Sequence, residues 1–107
     1  MAMRIWKSFF AAAALTLISG AGAAAAATIE ITIDKMAFSP AQVEAKVGDP
    51  VRWTNKDAFV HTATVKGAWE VMLPQQKSGS MVMKTAGSID YYCRFHPNMK
   101  GRINVSP

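Results

Sequence analysis

The sequence predicts an all-β domain, arranged as an antiparallel sandwich or barrel of short strands. Segments in which apolar and polar residues alternate follow one another from Thr28 to the C-terminus. Turn-forming residues such as the Gly48-Asp49-Pro50 run separate these segments about every 8 to 12 residues, a spacing typical of sandwiches and barrels. No segment after Thr28 keeps the period of an amphipathic helix, so the pattern favours strands throughout.

Seven segments carry the strand pattern, and alternation gives most of them one face that should enter the core. The predicted strands are TIEITI (28–33), QVEAKV (42–47), VRWTN (51–55), HTATV (61–65), SMVMKT (80–85), SIDYY (88–92) and GRINV (101–105). The residues that we expect to face the core are Ile29, Ile31, Ile33, Val43, Ala45, Val47, Val51, Trp53, Ile103 and Val105.

The first 27 residues have the order of segments found in secretory signal peptides. Arg4 and Lys7 precede an apolar run from Ser8 to Ile18, and small residues follow up to Ala27. The apolar run is shorter than the roughly 20 residues that a membrane-spanning helix needs. We therefore expect a signal peptide at 1–27 and one exported domain at 28–107. The alternative is an uncleaved anchor or an Ala-rich structural helix.

The composition limits the partners and draws attention to the single cysteine. Once Arg4 and Lys7 leave with the signal peptide, ten cations face seven acids, which gives a net charge near +3. The cations are scattered and do not interleave with aromatic residues, so nothing indicates nucleic-acid binding. Cys93 cannot form an internal disulfide, so in an exported protein it is an intermolecular bridge, a reactive thiol or a metal ligand.

The spacing around this cysteine indicates a metal site. Cys93, His96 and Met99 lie three residues apart, and His61 is the only other histidine. Tetrahedral zinc sites favour paired Cys and His and rarely use methionine, and haem attachment would need a second cysteine. Soft sulfur donors combined with imidazole point to copper, and two histidines, one cysteine and a weak axial methionine form the electron-transfer copper arrangement.

The residues of 28–107 also resemble a known family, the cupredoxins, or small blue-copper proteins. KMAFSPAQVEAKVGDPVRWTN, NKDAFVH and IDYYCRFHPNMKGRINV are similar to the family's strand and loop segments, and the short C-x2-H-x2-M spacing is similar to that of its amicyanin branch. The resemblance implies a Greek-key β-sandwich of about seven to eight strands. It also implies one type 1 copper held by His61, Cys93 and His96 with Met99 as the weak axial ligand.

The function that this resemblance implies is single-electron transfer between periplasmic redox proteins, with no enzymatic activity of its own. An amine dehydrogenase and a c-type cytochrome are the implied partners, and the chain is expected to be a monomer. The alternative is a periplasmic copper-binding or delivery protein that uses the same ligands. A degenerate module that binds zinc or nothing is a third possibility.

The sequence departs from the family pattern next to two of the ligands. Thr62 follows the first histidine where the family usually has Asn, and Arg94-Phe95 replaces the usual Thr-Pro between cysteine and histidine. Phe95 restores a backbone N–H that proline lacks. Our hypothesis from the sequence is that this N–H lies near the thiolate and raises the reduction potential.

Other residues receive plainer interpretations. We expect an apolar patch at the edge of His96, formed by Phe59, Phe95 and Pro97, with a basic rim of Lys56, Arg94 and Lys100. The remaining residues are assigned to solvated loops (Asp57, Glu70), to turns (Gly48, Asn55) or to the core (Met36, Met72, Met81, Met83, Trp53, Trp69).

Overall fold

The computed structural model describes residues 27–107, so the predicted signal peptide lies outside the described residues except for Ala27. This part of the chain contains nine strands. They are β1 (Ile29–Asp34), β2 (Ala37–Ser39), β3 (Gln42–Lys46), β4 (Pro50–Asn55), β5 (His61–Val65), β6 (Trp69–Leu73), β7 (Ser78–Val82), β8 (Gly87–Cys93) and β9 (His96–Ser106). Within residues 27–107, no helix is long and apolar enough to cross a membrane.

The strands form two sheets, with orders β2-β1-β4-β7 and β3-β9-β8-β5-β6. The predicted all-β sandwich is therefore confirmed. The sheets are not purely antiparallel, because β1 pairs with β4 and β3 pairs with β9 in parallel. Parallel neighbours need a connection that leaves the sheet and returns. Between β1 and β4 the chain forms β2, which makes a hairpin with β1, and β3, which belongs to the other sheet. Between β3 and β9 the chain includes β4 and β7 of the other sheet.

Two strands beyond the seven predicted segments have weak sequence patterns. β2 is only three residues long and pairs with β1 through a two-residue turn at Lys35-Met36. β6 has the sequence WEVML and lies at the edge of its sheet, where four of its five residues keep some exposure. A short hairpin arm and an edge strand bury too little apolar surface to show a clear alternation.

The core lies between the two sheets and is formed by the faces that alternation predicted, with one exception. Val47 is 44% exposed because β3 ends at Lys46, one residue before it. Trp53 is fully buried, and its ring contacts those of Tyr91 and Trp69, with centroids 5.6 Å and 6.1 Å away. Each large apolar side chain buried in this way contributes roughly 1.5–3 kcal/mol to folding.

One end of the sandwich gathers the strand ends that carry the predicted ligands. His61 begins β5, Cys93 ends β8 and His96 begins β9. Cys93 pairs with His96 across a two-residue connection, and the register is irregular between Tyr92 and Cys93. The predicted strands 88–92 and 101–105 leave His96 outside any strand, whereas in the structure the hydrogen-bonded hairpin continues up to this residue.

Candidate metal centre

His61, Cys93 and His96, three of the four predicted ligands, converge at this end of the sandwich. One donor atom from each of the three lies within 4.8 Å of the others. Cys93 Sγ is 3.6 Å from His61 Nδ1 and 3.6 Å from His96 Nδ1. The two imidazole rings are 5.0 Å apart and steeply inclined. Both rings therefore turn the same nitrogen toward the sulfur.

These separations suit ligands of one shared ion. With the bond lengths known for zinc, a sulfur at about 2.3 Å and a nitrogen at about 2.0 Å from a trigonal or tetrahedral metal lie roughly 3.5–3.7 Å apart. The observed 3.6 Å for both pairs falls in this range. A cysteine sulfur between two imidazoles is a donor set that copper favours, so the residues present fit the copper predicted from the sequence.

The site is buried on one side and reaches the protein surface on the other. His61 and Cys93 have no exposed surface, whereas His96 is half-buried. Met99 is 5% exposed and lies three residues after His96 on β9, with its side chain among the core residues. Among the four predicted ligands, His96 is the most exposed to the solvent.

The buried side chain of Asn55 fixes the loop that delivers His61. Its amide nitrogen donates to the carbonyl oxygens of Phe59 at 2.8 Å and Leu73 at 2.9 Å. Its Oδ1 accepts a hydrogen bond from the N–H of Asp57 at 2.9 Å. The sequence suggested a turn residue at this position, but Asn55 is fully buried and ties the loop to the end of β6.

Asp57 is not a solvated loop residue, because its carboxylate contacts His61 directly. Asp57 Oδ2 lies 2.8 Å from His61 Nε2, and the carboxylate also accepts the N–H groups of Lys35 and Met36. Burial raises the pKa of this carboxyl, but the hydrogen bonds from Met36, His61 and Lys35 outweigh it, so the pKa lies below its ordinary value. The carboxylate is thus ionised next to His61, a predicted ligand.

Glu70, also assigned to a solvated loop, belongs to a closed ring of hydrogen bonds behind the cysteine. The N–H of Arg94 donates to Thr62 Oγ1, whose hydroxyl lies 2.8 Å from Thr64 Oγ1. Thr64 donates to Glu70 Oε1, and the Arg94 guanidinium donates to both Glu70 oxygens at 2.7 Å and 3.0 Å. The bond with Arg94 lowers the pKa of Glu70, and the same bond raises the pKa of Arg94.

Phe95 does not make the contact that our sequence hypothesis required. Among residues 27–107, no hydrogen bond joins the N–H of Phe95 to Cys93 Sγ, so the structure gives no support to the proposed rise in reduction potential. The Phe95 ring is 43% exposed and lies 4.7 Å from the Arg94 guanidinium carbon, in a cation–π geometry.

Exposed apolar side chains surround the edge of His96. Phe59 is 58% exposed, and its ring centroid lies 6.4 Å from that of His96. Met36, 37% exposed, and Phe95 line one shallow surface cavity together with His96 and Pro97. We call Met36, Phe59, Phe95, Pro97 and the edge of His96 the His96 surface.

The expectations for the methionines and for the basic rim are met only in part. Met83 is buried in the core and Met81 packs against it, but Met36 and Met72 are exposed. Lys56 and Lys100 are exposed as expected. Arg94 is engaged by Glu70, so its charge is largely neutralised.

Comparison with known proteins identifies relatives along most of the chain. A family model described as the cupredoxin-like domain matches residues 7–105. Amicyanin from Paracoccus denitrificans is 32% identical over 87 residues, covering 72% of this chain and 64% of the relative. Amicyanin-alpha from Methylorubrum extorquens is 35% identical over 89 residues, covering 77% and 75%. The chain thus spans slightly under two thirds of the Paracoccus protein.

Solved structures agree with this kinship. A reduced amicyanin carrying a proline-to-phenylalanine substitution aligns with a TM-score of 0.65 at 32% identity, covering 74% of this chain and 82% of that one. A Cu(I) amicyanin carrying a methionine-to-glutamine substitution aligns with a TM-score of 0.66 at 30% identity and the same coverage. The chain belongs to the cupredoxin-like domain family, and within that family it resembles the amicyanins.

Proposed function

We propose that this protein is a periplasmic blue-copper protein that carries single electrons between redox partners. The observation that supports this most directly is the geometry of Cys93, whose sulfur lies 3.6 Å from the Nδ1 atoms of both His61 and His96. Copper in such a site alternates between Cu(I) and Cu(II) and so accepts and releases one electron.

The ligand roles follow from donor chemistry and burial. His61, Cys93 and His96 are the three strong ligands, and Met99 is the weak axial one. Catalytic metal sites keep a position open for water or substrate, whereas a fourth donor from buried Met99 would fill this site. A filled, rigid site suits electron transfer, since few atoms need to move when the charge changes, and it does not suit an enzyme.

The His96 surface is the proposed port for electrons. His96 is the most exposed of the proposed ligands, and exposed apolar side chains of Met36, Phe59 and Phe95 surround it. An apolar surface of this kind favours brief, weak docking, which suits a carrier that must release its partner. An amine dehydrogenase as donor and a c-type cytochrome as acceptor are the partner classes that the amicyanin resemblance suggests.

Charge around this surface favours partners with acidic groups. Lys35 and Lys56 are exposed. Lys35 directly precedes Met36 of the His96 surface, and Lys56 directly precedes Asp57, which contacts His61. Oppositely charged rims accelerate association and make its rate depend on salt. With a cytochrome as acceptor, we expect the second-order rate constant of electron transfer to fall as ionic strength rises. A rate constant that does not change with salt would argue against an acidic partner.

Export to the periplasm is supported by the charged, apolar and small-residue order of segment 1–27. We propose that residues 28–107 are the mature, monomeric domain. Mass spectrometry of the protein isolated from a periplasmic fraction tests this directly, because cleavage after Ala27 fixes the mass of the mature chain.

The central experiment is copper reconstitution of the purified domain, followed by visible absorption and voltammetry. We expect an intense visible band from thiolate-to-Cu(II) charge transfer and a reversible one-electron wave. Cys93→Ser should lose the band, whereas Met99→Leu should keep it, since methionine is the weak ligand. A colourless protein that holds only Cu(I) would instead support copper delivery, and a protein that binds no copper would contradict both functions.

A further inference from the structure

One carboxylate joins two parts of the structure that are distant in sequence. Asp57 Oδ1 accepts the N–H of Lys35 at 2.8 Å, and Oδ2 accepts the N–H of Met36 at 3.0 Å. The same Oδ2 lies 2.8 Å from His61 Nε2. The Asp57 side chain is only 10% exposed, so most of its surface is covered by the groups that it contacts. Asp57 thus contacts both the β1–β2 turn and a proposed copper ligand.

The turn that Asp57 holds is unfavourable for the residues that form it. Asp34 pairs with Ala37, which leaves Lys35 and Met36 as a two-residue hairpin loop. Their φ angles are +53° and +62°, so both residues lie in the left-handed region. Two-residue loops with positive φ at both positions favour Asn and Gly, because other side chains crowd the backbone there. This turn therefore needs support from outside its own sequence.

The Asp57 carboxylate supplies that support. Both N–H groups of the turn point to its two oxygens, and such charge-assisted hydrogen bonds are stronger than neutral ones. The exposed Met36 side chain belongs to the His96 surface, so the carboxylate also fixes one border of the proposed electron port.

At its other side, Asp57 fixes the tautomer of His61. A carboxylate that accepts from Nε2 keeps the proton on that nitrogen, which leaves the lone pair on Nδ1. His61 Nδ1 is the nitrogen that faces Cys93 Sγ. A carboxylate in this position also makes the imidazole a stronger donor. Stronger donation favours Cu(II) over Cu(I), and so does the nearby negative charge.

We propose that Asp57 is a positioning residue that holds His61 and the Lys35-Met36 turn as one unit, so that the copper ligand and a border of the docking surface are set by a single carboxylate. The inference rests on the proposed role of His61 as a ligand. Its structural half, the support of the turn, can be measured without any metal.

The test compares Asp57→Asn and Asp57→Ala with the unmodified domain. In apo-protein we expect faster amide hydrogen exchange at Lys35 and Met36, with the larger effect in Asp57→Ala, because their N–H groups lose their acceptor. In the copper form we expect about 10- to 100-fold weaker copper affinity and an upward shift of the reduction potential. Unchanged exchange at both amides in Asp57→Ala would overturn the proposal.

A rescue experiment separates positioning from simple stabilisation. The pair Lys35→Asn and Met36→Gly suits a left-handed two-residue turn without help from Asp57. Because Met36 borders His96, the pair introduced alone is the reference for copper affinity and reduction potential. Combined with Asp57→Asn, it should restore the melting temperature of the apo-protein but neither the copper affinity nor the potential. If copper affinity and potential returned as well, Asp57 would act only on the turn and the proposal would be wrong.

These readouts also separate this proposal from the proposed function. If the domain bound no copper at all, the function would fail, but the exchange rates of the Lys35 and Met36 amides would still report on the support of the turn. If copper bound with the expected spectrum and Asp57→Asn changed neither affinity nor potential, the function would stand and the role of Asp57 would fall.

Discussion

The backbone N–H of Arg94 donates a 2.8 Å hydrogen bond to the hydroxyl of Thr62, although the two residues are 32 positions apart. The ring returns to Arg94 through Thr64 and Glu70, and each hydroxyl in it accepts one hydrogen bond and donates the next. Hydrogen bonds arranged in this way polarise and strengthen one another. The spacer between Cys93 and His96 is therefore tied to the strand that begins with His61.

Replacing Thr62 should show how much this ring contributes. Thr62→Val keeps the shape of the side chain but removes the acceptor of the Arg94 N–H. We expect the free energy of unfolding of the apo-protein to fall by about 1–3 kcal/mol, as is usual when a sheltered donor is left without a partner. Urea unfolding measures this difference.

Thr62→Ser is the matched control, because it keeps the hydroxyl and loses one methyl group. The loss of that methyl should cost about 0.8 kcal/mol. Should the Val variant prove as stable as the unmodified protein, and so more stable than the Ser variant, the hydroxyl would contribute nothing to stability and the ring would be dispensable.

Asn55 should matter even more, since it is fully buried and its side chain bonds to four backbone groups. Asn55→Ala removes the donor to the carbonyls of Phe59 and Leu73 and the acceptor for the N–H of Asp57. We expect the free energy of unfolding to fall by at least about 2 kcal/mol, because several sheltered groups lose their partners together. Weaker copper affinity should accompany this loss, since the loop leads to His61.

The exposed amide of Gln75, close to Leu73 in sequence, provides the control. Gln75→Ala should change stability by no more than about 0.5 kcal/mol, as surface substitutions usually do. Equal effects of the Asn55 and Gln75 substitutions would mean that the loop is held by something other than Asn55.

The sandwich and the clustered ligand atoms could be predicted because their signals are local. Alternation along strands such as β1 and β4 identifies the buried face, and Cys93, His96 and Met99 are close in sequence. Only one further histidine was available to complete the set. Because the chain contains one cysteine and two histidines, only one combination of these residues could form the predicted cluster.

The supporting residues could not be predicted, because their roles depend on contacts between distant segments. Asp57 and Glu70 have the composition of ordinary loop and edge-strand acids, and only the fold brings them to His61 and Arg94. Asn55 looks like a turn residue until its burial at the end of β4 is known. Alternation within a strand likewise does not indicate which strands are neighbours, so the parallel pairing of β1 with β4 and of β3 with β9 could not be predicted.

Removal of copper should lower the stability of the domain. A ligand that binds only the native state adds about 2.7 kcal/mol at 100 times its Kd, which corresponds to roughly 10–20 °C in melting temperature for a domain of this size. Differential scanning calorimetry of the apo and copper forms measures the shift. Cys93→Ser should melt at the same temperature with and without copper, and an equal shift in that variant would show that the metal binds elsewhere.

Tyr91 should make the domain sensitive to alkaline pH. Its side chain is 2% exposed, and its hydroxyl, like Trp53 Nε1, has no hydrogen-bond partner among the described residues. Burial raises the pKa of Tyr91 from 10.0 to about 12, and the neighbouring Trp53 only partly offsets this. The phenol must therefore stay neutral in the native state while it can ionise in the unfolded chain.

The sign of the effect follows from this difference. Below pH 10 both states keep the proton, so the contribution of Tyr91 to stability is fully present. As the pH rises from 10 toward 12, only the unfolded state loses the proton, and about 2–3 kcal/mol of stability is lost. Tyr91→Phe cannot ionise, so its free energy of unfolding should fall less over this range. Urea titrations of both proteins along a pH series measure the gap between them, and a gap that stays constant above pH 10 would show that the phenol ionises equally well in the folded state.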